Sequence, residues 1–212
     1  MPEIVLYDYW RSSASYRVRI ALNLAGLGYK AVPVNLLENE HHSSGHLERN
    51  PQGLVPALEI DGRMMTQSLA IIEYLDETRA MRLLPASAKI RQKIRTISHI
   101  IAMDIHPVCN SSIVSEIMEL SGGSEEVRIN WMRKHIRKGL VSVEALLEQM
   151  PLGSCCFGDK PGLADICLVP QLYNAERWEA DLSDCPRILQ IGAYCNRLPA
   201  FADAHPDRIR PE

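Results

Sequence analysis

Hydrophobic spacing along the chain changes character near residue 83. Before that point short apolar runs alternate with one helical stripe at a time. Ile4-Val5-Leu6-Tyr7 predicts a short strand, and from Val18 the apolar positions Val18, Ala21, Leu22 and Ala25 fall on one face of a helix. Gly26 and Gly28 predict its stop, and Tyr29 to Leu36 predicts a second strand. A polar run from Glu38 to Gly45 reads as loop, and Asn50-Pro51-Gln52-Gly53 as a turn ahead of a third strand from about Ala57. Asp61-Gly62 is a two-residue hairpin signal leading into residues 63–66. Gln67-Ser68 then opens a helix with Leu69, Ile72 and Leu75 on one face. The order is βαβ followed by ββα.

From Leu83 onward nearly everything has helical periodicity. Leu84-Pro85-Ala86-Ser87 reads as a linker, and Ile90, Ile94, Ile97 and Ile101 form a stripe that ends at His106-Pro107. Ser121-Gly122-Gly123-Ser124 separates the next helix from a long one over about 125–149, and further helices are predicted near 163–178 and 186–197. The expected organisation is an α/β domain over 1–82, a linker over 83–87 and an all-helical domain over 88–212. No internal repeat or low-complexity segment supports a solenoid or a disordered scaffold.

Composition narrows the classes. The 212 residues suffice for a small domain and a larger one, each with a core. Residues 1–82 carry 8 basic and 10 acidic side chains and the remainder 15 and 16, so no basic face suggests nucleic acid. All six cysteines lie in the second half without CxxC spacing, which reads as buried thiols of a reducing compartment. No basic-then-apolar leader and no apolar run of the roughly 20 residues a membrane span needs is visible, so a cytoplasmic protein is expected.

The chemistry gathers at Tyr9 to Leu22, YWRSSASYRVRIAL. Ser12, Ser13 and Ser15 stand at a helix start, where their hydroxyls can cap backbone N–H groups and the positive end of the dipole favours an anion. Arg11 and Arg17 extend that reading from a structural cap to a site for a thiolate or carboxylate. Val55-Pro56 stands just before the third strand; a cis bond there would turn the backbone of Val55 outward to pair with a short extended peptide. Gln67-Ser68 offers an amide, a hydroxyl and backbone N–H groups to a second anion, such as the α-carboxylate of a γ-glutamyl group. His41, His42 and His46 also present metal-ligand chemistry, although two histidines followed by a polar loop more commonly form solvated surface.

These elements resemble a thioredoxin-like fold followed by an all-helical domain, the architecture of the glutathione S-transferases. The run R-S-S-x-S-x-R-V-R-I-A-L resembles the zeta class, a class that includes maleylacetoacetate isomerase. NPQGLVPAL, TQSLAIIEYL, DIHPVCN at 104–110 and FGDKPGLADICLVPQLYNAERW at 157–178 carry the likeness through nearly the whole chain. The resemblance implies a glutathione-dependent cis-trans isomerase of maleylacetoacetate. Maleylpyruvate isomerisation, conjugation of α-halo acids and a non-catalytic glutathione-binding role stand as alternatives. It implies glutathione contacts at Ser12, Ser13, Arg17, His42, Val55, Pro56, Gln67 and Ser68, with Asn110 and Ser112 added from the helical domain. Ser12 and Ser13 would serve the thiolate, Arg11 and Arg177 a dicarboxylate substrate, and no metal is implied. A homodimer with no nucleic-acid or membrane partner is expected. Two positions depart from the pattern: Ala14 replaces the cysteine after the serine pair, and Gly162 replaces a Ser or Thr cap three residues before Asp165.

Overall fold

The computed structural model describes residues 3–211. They fall into two units: the described residues of Met1–Arg82 together with those of Leu198–Glu212, and Leu83–Arg197. The first contains β1 (Val5–Asp8), α1 (Ser13–Leu24), β2 (Lys30–Pro33), α2 (Ser44–Arg49), β3 (Ala57–Ile60), β4 (Arg63–Thr66) and α3 (Ser68–Arg79). Its sheet has the order β2-β1-β3-β4, with β1 parallel to β2 and the other two pairings antiparallel. This is a thioredoxin-like βαβ-ββα unit. At the β3–β4 hairpin Asp61 and Gly62 both have positive φ, 53° and 71°, which matches the turn to the twist of its strands.

The polar run after β2 is more ordered than its lack of periodicity predicts. Two single 3₁₀ turns, Leu36–Glu38 and Glu40–His42, precede α2. Side chains supply the pairing that apolar spacing does not: Asn35 accepts from the Leu37 N–H at 3.0 Å, Glu40 from the Asn35 N–H at 2.6 Å and Ser43 from the His46 N–H at 3.3 Å.

Helix α1 has no solvent face, since every residue from Ser13 to Leu22 is buried. Its predicted stripe is right for Val18, Ala21 and Leu22, whereas Ala25 is partly exposed. The other face is covered by the end of the chain. The Tyr16 hydroxyl donates to Phe201 O at 3.3 Å, Arg19 Nε to Ala204 O at 3.0 Å and Asn23 Nδ2 to Ala200 O at 3.0 Å. The sequence reading carried the helical domain through to residue 212, whereas these contacts draw residues from 198 onward, including the short turns Pro199–Ala202 and Pro206–Ile209, into the first unit.

The second unit consists of α4 (Ala88–His99), α5 (Ser111–Leu120), α6 (Glu125–Leu147), α7 (Leu163–Arg177) and α8 (Pro186–Cys195). A π-helical stretch, Ile100–Ile105, continues α4, and Ile94, Ile97, Ile101 and Ile105 carry the buried stripe through it. They join Ile136, Leu140, Val143, Ile166, Leu168 and Ile188 in the core. Leu83, read as linker, is buried, and its carbonyl accepts from Leu163 N at 3.2 Å. At the start of α7, Asp165 is 1% exposed and accepts from two backbone N–H groups, Cys156 and Gly162, both at 2.8 Å. Gly162 is required there by space: a Cβ on it would lie 2.8 Å from Leu83 O. Among the described residues no helix is long and apolar enough to cross a membrane.

Candidate active site

The turn Tyr9-Trp10-Arg11 joins β1 to α1 and is closed by the Ser12 N–H donating to Tyr9 O at 2.9 Å. Ser12 is the N-cap, with extended backbone, and its Oγ accepts from the Ser15 N–H at 3.2 Å. Ser13 and Ser15, grouped with it as potential caps, instead lie inside the first helical turn and are buried. Capping occupies a lone pair of the Ser12 oxygen, while its O–H bond remains a donor. The site therefore combines a hydroxyl donor with the N–H groups and dipole of a helix start.

Beneath the turn, Arg19 Nη1 meets both oxygens of Asp8 at 2.8 Å and its Nη2 donates to Trp10 O at 2.9 Å. This buried pair fixes the turn to the helix that follows it, and sequence inspection missed it because periodicity places both residues in elements without showing what they touch. Arg11 differs. It is half-buried, its guanidinium stands 5.3 Å from the Trp10 ring centroid, and it lines a cavity of about 760 Å³.

The second anion position begins at α3. Arg17 is 1% exposed and its Nη1 donates to Ser68 Oγ at 3.3 Å, so it supports Ser68 from within the fold. Gln67 has φ 67° and ψ 108°, a conformation costly for a residue with a Cβ and of the kind that clusters at ligand sites. Its Nε2 donates to Gln52 Oε1 at 2.7 Å, which links α3 to the NPQG turn.

The Val55-Pro56 bond is cis, and Val55 precedes the β3 pairing register. Its approach is fixed by two donors on Leu54 O: His46 Nε2 at 2.9 Å and Asn50 Nδ2 at 2.8 Å. Because a carbonyl only accepts, His46 carries its proton on Nε2. His42 sits against Gly53, where a Cβ would lie 2.9 Å from His42 Nδ1; with φ at +61° this position suits only glycine. The His41 and His42 rings are 4.0 Å apart, and burial, then the neighbouring His42 and His46, hold the His41 pKa below the usual histidine value. Among the described residues the potential metal-ligand group is elsewhere: Cys155, Asp165 and Cys195, buried, with ligand atoms within 4.8 Å of one another. Both Asp165 oxygens accept backbone N–H bonds, so that group belongs to the α7 start.

Three of the protein's thiols are held back as nucleophiles. Burial pushes Cys109 to about 11 and raises Cys156 far above the ordinary thiol value, while Cys185 reaches about 11 through burial and the charge of Asp184. The position after the serine pair is Ala14, which is buried.

The first unit thus holds Arg11, Ser12, Ser13, Arg17, His42, Val55, Pro56, Gln67 and Ser68. The second unit holds the others. Asn110 caps α5 by position without a side-chain bond to its first turn, and its Oδ1 accepts from Ser111 Oγ at 3.2 Å. Ser112 is exposed; Arg177 ends α7, with Nη1 3.4 Å from Asn174 Oδ1 and its guanidinium 6.0 Å from the Trp178 ring centroid.

Known proteins share this arrangement. The family described as "Glutathione S-transferase, N-terminal domain" matches residues 2–77. Maleylacetoacetate isomerase of Rhizobium meliloti is 56% identical over 210 residues, 99% of each chain. The chain belongs to the glutathione S-transferase family. A bacterial zeta-class glutathione S-transferase, maleyl pyruvate isomerase, has a holo structure matching 98% of this chain and 99% of its own, with TM-score 0.95 and 40% identity. Maleylacetoacetate isomerase from Anaeromyxobacter dehalogenans, 36% identical with TM-score 0.87 over 99% of this chain and 98% of its own, was solved with dicarboxyethyl glutathione and citrate in the active site. Within this transferase family the present chain sits beside the zeta-class isomerases.

Proposed function

We propose that this glutathione S-transferase isomerises maleylacetoacetate from cis to trans with glutathione as cofactor. The observation carrying the reading is the α1 start, where a hydroxyl donor and a helix dipole follow directly on a turn that lines a cavity, with Arg11 in its wall. The residues fit the cofactor. Arg17 beneath Ser68 suits the γ-glutamyl carboxylate, and the held Leu54–Val55 backbone suits an extended peptide.

When bound, glutathione supplies a thiolate that adds reversibly to the conjugated double bond, so the bond can rotate before the thiolate leaves. Ser12 stabilises that thiolate by donating its O–H, with Ser13 and the first-turn N–H groups in support. A free thiol of pKa about 8.5 is a few per cent ionised at pH 7, and each unit of depression is worth about 1.4 kcal/mol of preference for the anion. Arg11 stabilises negative charge developing on the substrate's carbonyl oxygen and carboxylate, and Arg177 is proposed for the same work from the second unit. Asn110 and Ser112 are proposed as further glutathione contacts.

The deciding experiment follows conversion of maleylacetoacetate by the purified protein with and without glutathione, beside maleylpyruvate. Conversion of maleylacetoacetate only with glutathione is expected. Conversion of maleylpyruvate alone would favour the second reading, which the zeta-class maleyl pyruvate isomerase structure supports. The proposal extends to a cytoplasmic homodimer, for which family likeness is the support and light scattering of the purified protein the check.

A further inference from the structure

The cavity lined by the β1–α1 turn, which leads directly into Ser12, has an unusual charge balance. Its walls are largely apolar, with Trp10, Pro33, Val34 and Leu37 among them. Of its acidic groups, Asp8 is paired with Arg19 through both oxygens, while Glu40 accepts from the Asn35 N–H and keeps its charge. Burial pushes the Tyr29 hydroxyl to about 12, so it stays neutral. Besides the paired Arg19, two guanidiniums stand in the wall, Arg11 from the β1–α1 turn and Arg210 from the end of the chain, so guanidiniums outnumber carboxylates three to two. Each stands 5.3 Å from the centroid of the Trp10 ring, so the two lie no farther apart than twice that distance. Neither forms an ion pair with a carboxylate among the described residues.

Ring stacking and ion pairing differ in what they leave behind. A carboxylate partner would neutralise a guanidinium and fill its N–H edge, whereas an aromatic ring holds it through its face and leaves charge and edge donors for a ligand. Trp10 thus holds two cations in the wall of one largely apolar cavity. A ligand with two carboxylates matches them.

We propose that Arg210 is a specificity-determining residue of the substrate site, taking one carboxylate of a dicarboxylate while Arg11 takes the other. This rests on the glutathione-dependent reading above and adds a contact from the C-terminal segment within the same unit as the serine pair. Neighbouring Arg208 provides an internal control, because it is paired with Asp203 and does not line the cavity.

The test is equilibrium binding by calorimetry of dicarboxyethyl glutathione and of S-ethylglutathione, which lacks the two added carboxylates. For Arg210→Met the affinity advantage of the dicarboxyethyl ligand should fall about tenfold, the loss of one modest charged contact, while S-ethylglutathione binds as in the unaltered protein. Arg210→Lys should recover part of the advantage, and Arg208→Met should leave it whole. An unchanged ratio in Arg210→Met overturns the proposal, as does an equal loss for both ligands, which would make Arg210 a support of the glutathione site. Failure of the unaltered protein to bind S-ethylglutathione removes the underlying reading and this proposal with it, a result distinct from the other two.

Discussion

Two helix starts in this protein solve the same problem in opposite ways. At α7 the free N–H groups are closed off from within: Asp165, fully buried, takes the N–H of Gly162 and that of Cys156. At α1 the cap is a single neutral hydroxyl, Ser12, that accepts once and keeps a donor. The first arrangement spends the N-cap N–H inside the protein and ties a loop to a helix. The second leaves an electropositive end beside a cavity. A sequence with Ser, Thr, Asp or Gly at a helix start is compatible with either outcome, and the difference lies in how many of the donors the protein itself uses.

The largest effect expected from this contrast is at Asp165. Asp165→Ala strands two buried N–H groups and should lower unfolding free energy by about 3–5 kcal/mol, read as a shift in the urea midpoint. A loss below about 1 kcal/mol would mean that the α7 start is not internally sealed. Asp165→Asn should also destabilise, because its amide nitrogen cannot accept the second N–H.

Ser12→Ala should divide differently between stability and activity. Removing an N-cap costs about 0.5–2 kcal/mol, while losing the thiolate donor should lower turnover by about 10- to 100-fold, one to two units of thiol pKa. The thiol pKa of bound glutathione, followed by ultraviolet absorbance of the thiolate, should rise in parallel. Equal turnover with Ala would make Ser12 a cap like any other.

Gly162→Ser tests whether capping preference or space governs α7. On capping preference alone serine should gain a few tenths of a kcal/mol over glycine. The Cβ contact with Leu83 O predicts the reverse sign, a loss of about 1 kcal/mol or more by thermal or urea unfolding.

The smallest effect is electrostatic and lies among the histidines near the NPQG turn. Because the native pKa of His41 is lowered, the unfolded chain takes up its proton first as pH falls below the ordinary value of about 6.5. Its contribution to stability is therefore full above that value and declines as pH falls toward the lowered native pKa. His42→Gln removes one of the causes, so the His41 ring should titrate at higher pH in an NMR titration and the decline should shrink. An unmoved His41 titration would assign the shift to burial and His46.

Much of this architecture is readable along the chain. The stripe of Ile94, Ile97 and Ile101, the Asp61-Gly62 hairpin and the stop after α1 follow from periodicity and turn chemistry, which act over a few residues. Ser12, Val55 and Ser68 were legible for the same reason, since each stands at a boundary with a local signature. Arg17 was legible as a cation while its contact with Ser68 was not, because spacing does not say that α1 is covered on both faces. The order in the polar run at 35–46 escaped notice because short-range side-chain bonds, not apolar spacing, create it.

The sequence by itself determined the element order, the helix starts and the chemical types available at each, because these depend on near neighbours. Only tertiary structure decided how each is used. It placed Arg19 on Asp8, Arg17 behind Ser68, one histidine and one asparagine donor on Leu54 O, and residues from 198 onward over α1. It brought Arg210 to Trp10 across almost the full length of the chain. Whether a polar group serves the fold or a ligand depends on which partners the completed fold gives it, and those partners are remote in sequence.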